Sequence, residues 1–322
     1  GGQAGKIVSP SSVNGDAVTT IAASSLTTEQ KAEIKSVYIP DSVTKIGDYA
    51  FASCYGLESI VLPEGVEEIG ESAFSNCCNF RSVDIPSSVR KIGRYAFSGC
   101  GLSYVELPEG IETLEDSAFA YNYKLCKIIV PSTVKYISDT AFYNYDVLVE
   151  IVNNSDLDIN FTNSGSSAKT IVDKNGNRIY KEGITDCEVI IKNGLLFVKE
   201  DGKYTLRSYI GTEDTVALPL KINGCDYAIY LFDGAKNVIL PSGWKTIDES
   251  AFSYSRTTYD RSMLESIVIP DSVTEIGCSA FSDCVNLKSV VIPNSVEYIG
   301  GYAFLNCSSL TEIVVPESVV QM

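Results

Sequence analysis

The chain has 322 residues, 45% of them hydrophobic and 20% charged, enough to bury a large core and unlike a disordered or fibrous composition. Forty-one acidic residues against 25 basic ones give a formal charge of −16, which repels phosphate backbones and anionic lipid and argues against a nucleic-acid partner. No apolar run approaches the roughly 18 residues of a membrane helix, and histidine is absent, which removes Ser-His-Asp, Cys-His and the common zinc arrangements.

The amino end, GGQAGK, has no initiator Met and no apolar export-signal region. Its glycines read as an appended remnant, with any export signal removed ahead of them. Residues 1–33, including VNGDAVTTIAASSL at 13–26, read as a worn repeat serving as a cap. From residue 34 a repeat takes over. IPDSVTKIGDYAFASC at 39–54 returns at 269–284 as IPDSVTEIGCSAFSDC, identical at eleven of sixteen positions. Prolines 40, 63, 86, 108 and 131 are spaced by 23, 23, 22 and 23 residues, and prolines 219, 241, 270, 293 and 316 by 22, 29, 23 and 23. The long step holds the polar insertion SYSRTTYDRSM (253–263).

Within one unit, 57–77, Ser59-Ile60-Val61-Leu62 alternates as a strand does, with Ile60 and Leu62 on one face. Pro63 closes it, because a residue without an N–H stops the ladder at the same height in every coil. Val66 and Ile69 then suggest a short extended piece, and the Ala-Phe segment a helical or 3₁₀ turn. No unit can bury its apolar side alone, so the units must stack. The Ala-Phe pairs (50–51, 73–74, 96–97, 118–119, 141–142, 251–252, 280–281, 303–304) are expected to form an internal ladder. Three residues after the Phe come Cys54, Cys77, Cys100, Cys284 and Cys307. Stacked positions hold Cβ atoms about 4.8 Å apart where a disulfide wants about 3.8 Å, so buried free thiols are expected.

Residues 152–213 lack the proline and the Ala-Phe pair. The segment 152–183 reads as loops around a hairpin turning at DKNGN, and 188–211 as a three-stranded meander with turns at KNGL and EDGK. Two readings stay open: degenerate coils carrying the stack through, or a small β module interrupting it. Residues 214–322 resume the repeat and stop just after a strand at VVPESVVQM, so the native protein is expected to continue.

The pattern Leu-x-x-Ile-x-Ile/Leu-Pro-x-x-Val-x-x-Ile-x-x-x-Ala-Phe-x-x-Cys resembles the BspA-like leucine-rich repeats of bacterial surface proteins, over 34–152 and 214–322, about two-thirds of the chain. The resemblance implies an α/β leucine-rich-repeat solenoid, β-rich and right-handed, with 22–23-residue coils, a parallel sheet on one face and short helical or 3₁₀ turns opposite. Members of the family are linked with adhesion to host matrix and to other microbes. An extracellular or cell-surface location follows from the same resemblance.

Signals for chemistry are weak. No cofactor or metal is expected: DKNGNR (173–178) has its glycine at the fourth rather than the sixth position of a calcium loop, and Cys77-Cys78 reads as structural. Carboxylates in PEGVEEIGES and PEGIETLEDS sit on solvated turns with no apolar pocket to raise a pKa. The glycines at 47, 70 and 93 recur once per coil and signal backbone geometry rather than a phosphate loop.

Surfaces remain. Outward columns on the sheet hold Ser36, Ser59, Ser82, Tyr104 and Lys127, and beside them Tyr38, Val61, Asp84, Glu106 and Ile129, with Ile239, Val268, Val291 and Val314 later in the chain. The valines satisfy strand propensity; as a contiguous apolar strip they would mark a contact site. A second candidate is the edge bearing Tyr121, Tyr123 and Tyr143, with Tyr145 in the missing cysteine's slot, against edge packing onto the segment that follows. Binding candidates are therefore Tyr38, Tyr104, Tyr121, Tyr123, Tyr143, Val268, Val291 and Val314. A non-enzymatic scaffold for a protein or glycan ligand comes first among the readings, a passive spacer or surface-layer component second, and an enzyme with a carboxylate site last. Neither nucleic acid nor membrane insertion is expected.

Overall fold

The computed structural model describes residues 6–24, 26–144, 147–161, 168–253 and 262–321. Two compact units, Gly1–Glu188 and Val189–Met322, each enclose a hydrophobic core of their own.

In the first unit a coil has three sides. The front side is the alternating strand: Lys6–Val8, Ser36–Tyr38 and Ser59–Val61 pair in parallel, with Ile7, Val37 and Ile60 in register. After the Val61–Asp84 bridge, Tyr104–Glu106, Lys127–Val130, Glu150–Asn153 and Thr170–Val172 pair in parallel. Alternation turns Val37, Ile60, Val105 and Ile128 into the core and their neighbours out. Proline then closes the strand: the Pro40 carbonyl accepts from Val43 N at 3.0 Å and Pro63 from Val66 N at 3.1 Å, a turn that drops each valine into the core.

The second side is a ladder of two-residue strands, Thr20–Ile21, Lys45–Ile46, Glu68–Ile69, Lys91–Ile92, Thr113–Leu114 and Tyr136–Ile137, all parallel. It ends at the recurring glycine, where coils touch: a Cβ on Gly93 would lie 2.9 Å from the carbonyl carbon of Gly70. The glycines serve close backbone approach, as their once-per-coil recurrence implies.

The third side differs from expectation. Helix or 3₁₀ structure was expected at the Ala-Phe pair, and none forms there. Ala50 N, Ala52 N and Cys54 N donate to Gly47, Tyr49 and Phe51 (3.3, 3.3 and 3.1 Å), whereas Tyr49 N, Phe51 N and Ser53 N donate to Glu71, Ala73 and Ser75 of the next coil (2.8, 2.8 and 2.7 Å). A 3₁₀ helix needs consecutive i→i−3 bonds; here alternate N–H groups cross between coils, so the segment is a ladder of isolated turns. Left-handed residues punctuate it, among them Tyr49 (φ 58°) and Ser53 (φ 59°). Among the described residues the one helix is Thr28–Glu33, closed by a capping box between Thr27 and Gln30. The fold is thus a β-solenoid with almost no helix.

Inside, Phe51, Phe74, Phe97 and Phe119 stack face to face, with centroids 5.4, 5.2 and 5.3 Å apart and planes within 16° of parallel. Thr170–Val172 turns back through Asp173, whose carboxylate accepts from Asn175 N and Asn177 N, into the antiparallel Arg178–Tyr180.

In the second unit Leu195–Glu200 and Lys203–Tyr209 pair antiparallel, and Tyr227–Asp233 joins the latter in parallel. Regular coils then supply Thr215–Ala217, Asn237–Ile239, Ser266–Val268 and Ser289–Val290 to a front sheet, and Thr246–Ile247, Glu275–Ile276 and Tyr298–Ile299 to a side ladder. Phe252, Phe281 and Phe304 repeat the ring stack at 5.3 and 5.2 Å. Trp244 takes the slot that valine or isoleucine holds in other coils and packs edge-on against Tyr227, whose hydroxyl donates to Pro219 O.

Candidate functional site

The candidate residues fall into three groups. On the first unit's front sheet, Tyr38 occupies one outward column with Val8 and Val61 in register, all three exposed. Tyr104 lies in the adjacent column and is half-buried. Burial and the hydrogen bond that its hydroxyl donates to Glu106 Oε2 (2.7 Å) push its pKa above the usual phenol range.

Tyr121 and Tyr143 meet edge to face on the turn side, centroids 5.7 Å apart, with Tyr121 N donating to Tyr143 O at 2.9 Å. Tyr123 and Tyr143 are exposed and Tyr121 is half-buried. Tyr145, assigned to the cysteine slot, lies outside the described residues, as does most of the 253–263 insertion. Sequence counting missed the residues that do the cysteine's work here. Asn122, three after Phe119 and fully buried, donates from Nδ2 to the carbonyls of Phe97 and Phe119, both at 2.9 Å, and Asn144 does so to Phe119 and Phe142 at 3.2 and 3.1 Å.

In the second unit Ala217, Ile239 and Val268 stand in register, with Val291 following on the next coil. Ile239, Val268, Val291 and Val314 all project to solvent. The neighbouring column is polar and internally hydrogen-bonded: Ser266 Oγ donates to Asn237 Oδ1 at 2.7 Å, and Asn237 Nδ2 to Thr215 Oγ1 at 3.2 Å. One column of this face is satisfied by itself; the other is aliphatic.

Several carboxylates of the side ladder are paired with a lysine of a neighbouring coil. Glu68 meets Lys45 (3.0 Å), Glu115 meets Lys91 (2.8 Å) and Glu112 meets Lys135 (2.9 Å), each between adjacent coils and exposed enough that a pair contributes only about 0–1 kcal/mol. Glu150, outward-facing in the sheet column of Lys127, is fully buried between Lys127 (2.5 Å) and Arg178, and Arg178 also reaches Glu188 at 3.5 Å. Nothing in the sequence around 150 signalled this, because its cover folds back from the hairpin that follows.

For chemistry the arrangement offers little. Burial pushes the Asp248 carboxyl up, opposed by the Ile229 N–H that donates to its Oδ2 at 2.8 Å, so this acid caps a backbone. Among the described residues no group of three or more His, Cys, Asp or Glu side chains is placed to hold a metal ion. No described helix is long and apolar enough to cross a membrane.

Stacked coils, a buried ring ladder and outward columns define a repeat scaffold of the leucine-rich class. The BspA type leucine-rich repeat region matches residues 19–149, 68–189 and 254–322, and the chain belongs to that family. Among solved structures, a leucine-rich repeat protein from Bacteroides ovatus is 25% identical, with 98% of this chain and 82% of that one covered and a TM-score of 0.37. A leucine rich cell surface protein from Faecalibacterium prausnitzii is 23% identical, with coverages of 99% and 83% and a TM-score of 0.39. The Treponema pallidum leucine-rich repeat protein is 25% identical over 39% of this chain and 70% of its own, with a TM-score of 0.32. Global superposition this loose adds nothing to the assignment, which rests on the repeats. A search of curated proteins found no match.

Proposed function

We propose that this protein is a non-enzymatic, surface-exposed scaffold that binds a protein or glycan partner in adhesion. The observation that carries this reading is the register of exposed apolar side chains on rigid backbone: Tyr38 with Val61 in one unit, Val268 with Val291 in the other. Side chains carried on an ordered sheet need no backbone ordering on contact, and contiguous apolar surface is the usual mark of an interaction site. The Tyr121–Tyr143 pair adds large contact area at small entropic cost. Cell-surface location is supported by the family's resemblance to bacterial surface proteins.

The passive spacer remains the second reading, favoured by the ladder of inter-coil ion pairs and hydrogen bonds, which serve stacking alone. Solid-phase binding to immobilised matrix proteins and mucin glycoprotein separates the two. Tyr121→Ser with Tyr143→Ser, or Val268→Ser with Val291→Ser, should weaken binding about tenfold while thermal unfolding is unchanged. A wild-type chain that binds neither surface would favour the spacer; binding indifferent to both pairs would remove these residues from the site.

A further inference from the structure

We propose that the open front-sheet face of the first unit docks an extended segment of a partner protein that is aliphatic at one end and cationic at the other. The inference rests on the binding reading and names the chemistry of its partner.

The outward column begins apolar and turns acidic. Val8, Tyr38 and Val61 are 60, 51 and 80% exposed and in register across adjacent parallel strands. Val61 is bridged to Asp84, and Glu106 holds the same place on the next coil. At the proline turns bordering this column Asp41 and Glu64 are exposed as well.

Several carboxylates elsewhere on the same coils are cancelled by a lysine. Along the side ladder Glu68, Glu112 and Glu115 each meet a lysine of a neighbouring coil, and at the strand starts Lys35 meets Glu58 at 2.8 Å. Among the described residues Asp41, Glu64, Asp84 and Glu106 form no ion pair; Glu106 accepts the Tyr104 hydroxyl, which leaves its charge uncancelled. Four uncancelled carboxylates beside an apolar strip favour a cation carried on an apolar segment. An anionic glycan or phosphate would meet repulsion.

The face also has an end. Past Glu106 the same column runs on through Ile129, Val152 and Val172, all half-buried, and in the neighbouring column Glu150 and Thr170 are fully buried, the first against Lys127 and Arg178, the second with a hydrogen bond to Cys187 O at 2.8 Å. Five coils remain open from Lys6–Val8 to Tyr104–Glu106, about 19 Å at about 4.8 Å per strand. An extended segment rising about 3.3 Å per residue crosses that width in about six residues.

The test uses sensor-immobilised peptides with a core of three leucines followed by three lysines, and two controls in which serine replaces leucine or glutamate replaces lysine. At about 0.15 M salt, where long-range attraction is screened, the intact chain should bind the leucine–lysine peptide over both controls. Tyr38→Ser with Val61→Ser, and separately Asp84→Asn with Glu106→Gln, should each weaken binding about tenfold. Glu275→Gln with Glu297→Gln removes the same charge from exposed positions of the second unit and should change binding less than about twofold. Equal loss in that control pair, equal binding of the serine peptide, or no binding by the wild type would each overturn the proposal. Matrix binding that is lost with Tyr121 and Tyr143 but not with these face pairs would sink it while leaving the broader binding reading intact.

Discussion

The thiol of Cys77 donates to the carbonyl oxygen of Phe51, one coil earlier, at 3.1 Å. Cys100 does the same to Phe74, Cys284 to Phe252 and Cys307 to Phe281, each at 3.1 Å. The recurring cysteine is therefore more than a small hydrophobe. It occupies the second lone pair of a carbonyl that also accepts a backbone N–H, as Phe51 O does from Cys54 N, and so satisfies a polar group that stacking carries into the core.

Burial pushes the Cys284 thiol from an ordinary value of 9.0 up to about 12. A folded-state pKa raised this way gives stability that is whole below the unfolded value and drains away as pH climbs towards the folded one. Cys284→Ser keeps an O–H donor for Phe252 and does not titrate in that window. Urea unfolding should therefore show the wild type's advantage over the variant constant at neutral pH and shrinking above about pH 9. An advantage independent of pH would mean that the thiol is not held neutral by burial.

Asn122 replaces this thiol with an amide that spans two carbonyls. Asn122→Ala leaves Phe97 O without its side-chain donor and Phe119 O with Asn144 alone, and should cost about 1–3 kcal/mol. Asn122→Cys should recover much of the loss, since a thiol in this slot reaches the preceding Phe carbonyl elsewhere in the chain. Denaturant midpoints in which cysteine is no better than alanine would refute the equivalence of the two side chains.

What the sequence could disclose follows from this geometry. Positions such as Ile60, Val66 and Phe74 stack on their own images, so periodicity alone places them in the core. The side-ladder ion pairs were also legible in principle: Lys45, Glu68 and Lys91 occupy one slot with alternating sign. Asn122 was hidden because the irregularity of that coil was assigned to its tyrosines. The turn ladder was hidden because whether Phe51 N bonds within its coil or to Ala73 O of the next is decided by the neighbour, which no local propensity encodes.

Phe97 lies between Phe74 and Phe119, nearly parallel to both, at 5.2 and 5.3 Å. Phe97→Ala should cost about 3–5 kcal/mol, because rigid neighbours on both sides cannot collapse into the cavity. Equilibrium unfolding that registers less than about 1 kcal/mol would contradict the ring stack as a core element.

Glu150 offers the sharpest contrast between pairing and packing. Its carboxylate is fully buried, and Lys127 and Arg178 both converge on it from positions that are themselves mostly covered. Glu150→Leu strands Lys127 and leaves Arg178 with Glu188 alone, and breaking a buried pair on one side only typically costs about 3–5 kcal/mol. The loss should fall near the lower end, because the Arg178 side chain is a third exposed and retains Glu188 at 3.5 Å. Adding Lys127→Met to the same chain removes the stranded ammonium and should restore much of the stability, since an apolar pair of similar volume needs no charge partner. Hydrogen exchange locates the effect: amides of Arg178–Tyr180, which pair antiparallel with Thr170–Val172, should lose protection in the single variant and regain it in the double. If the single variant exchanges as slowly as the wild type, the ion pairs are incidental to the cover, and backbone pairing with the Thr170–Cys187 hydrogen bond holds that segment against the sheet.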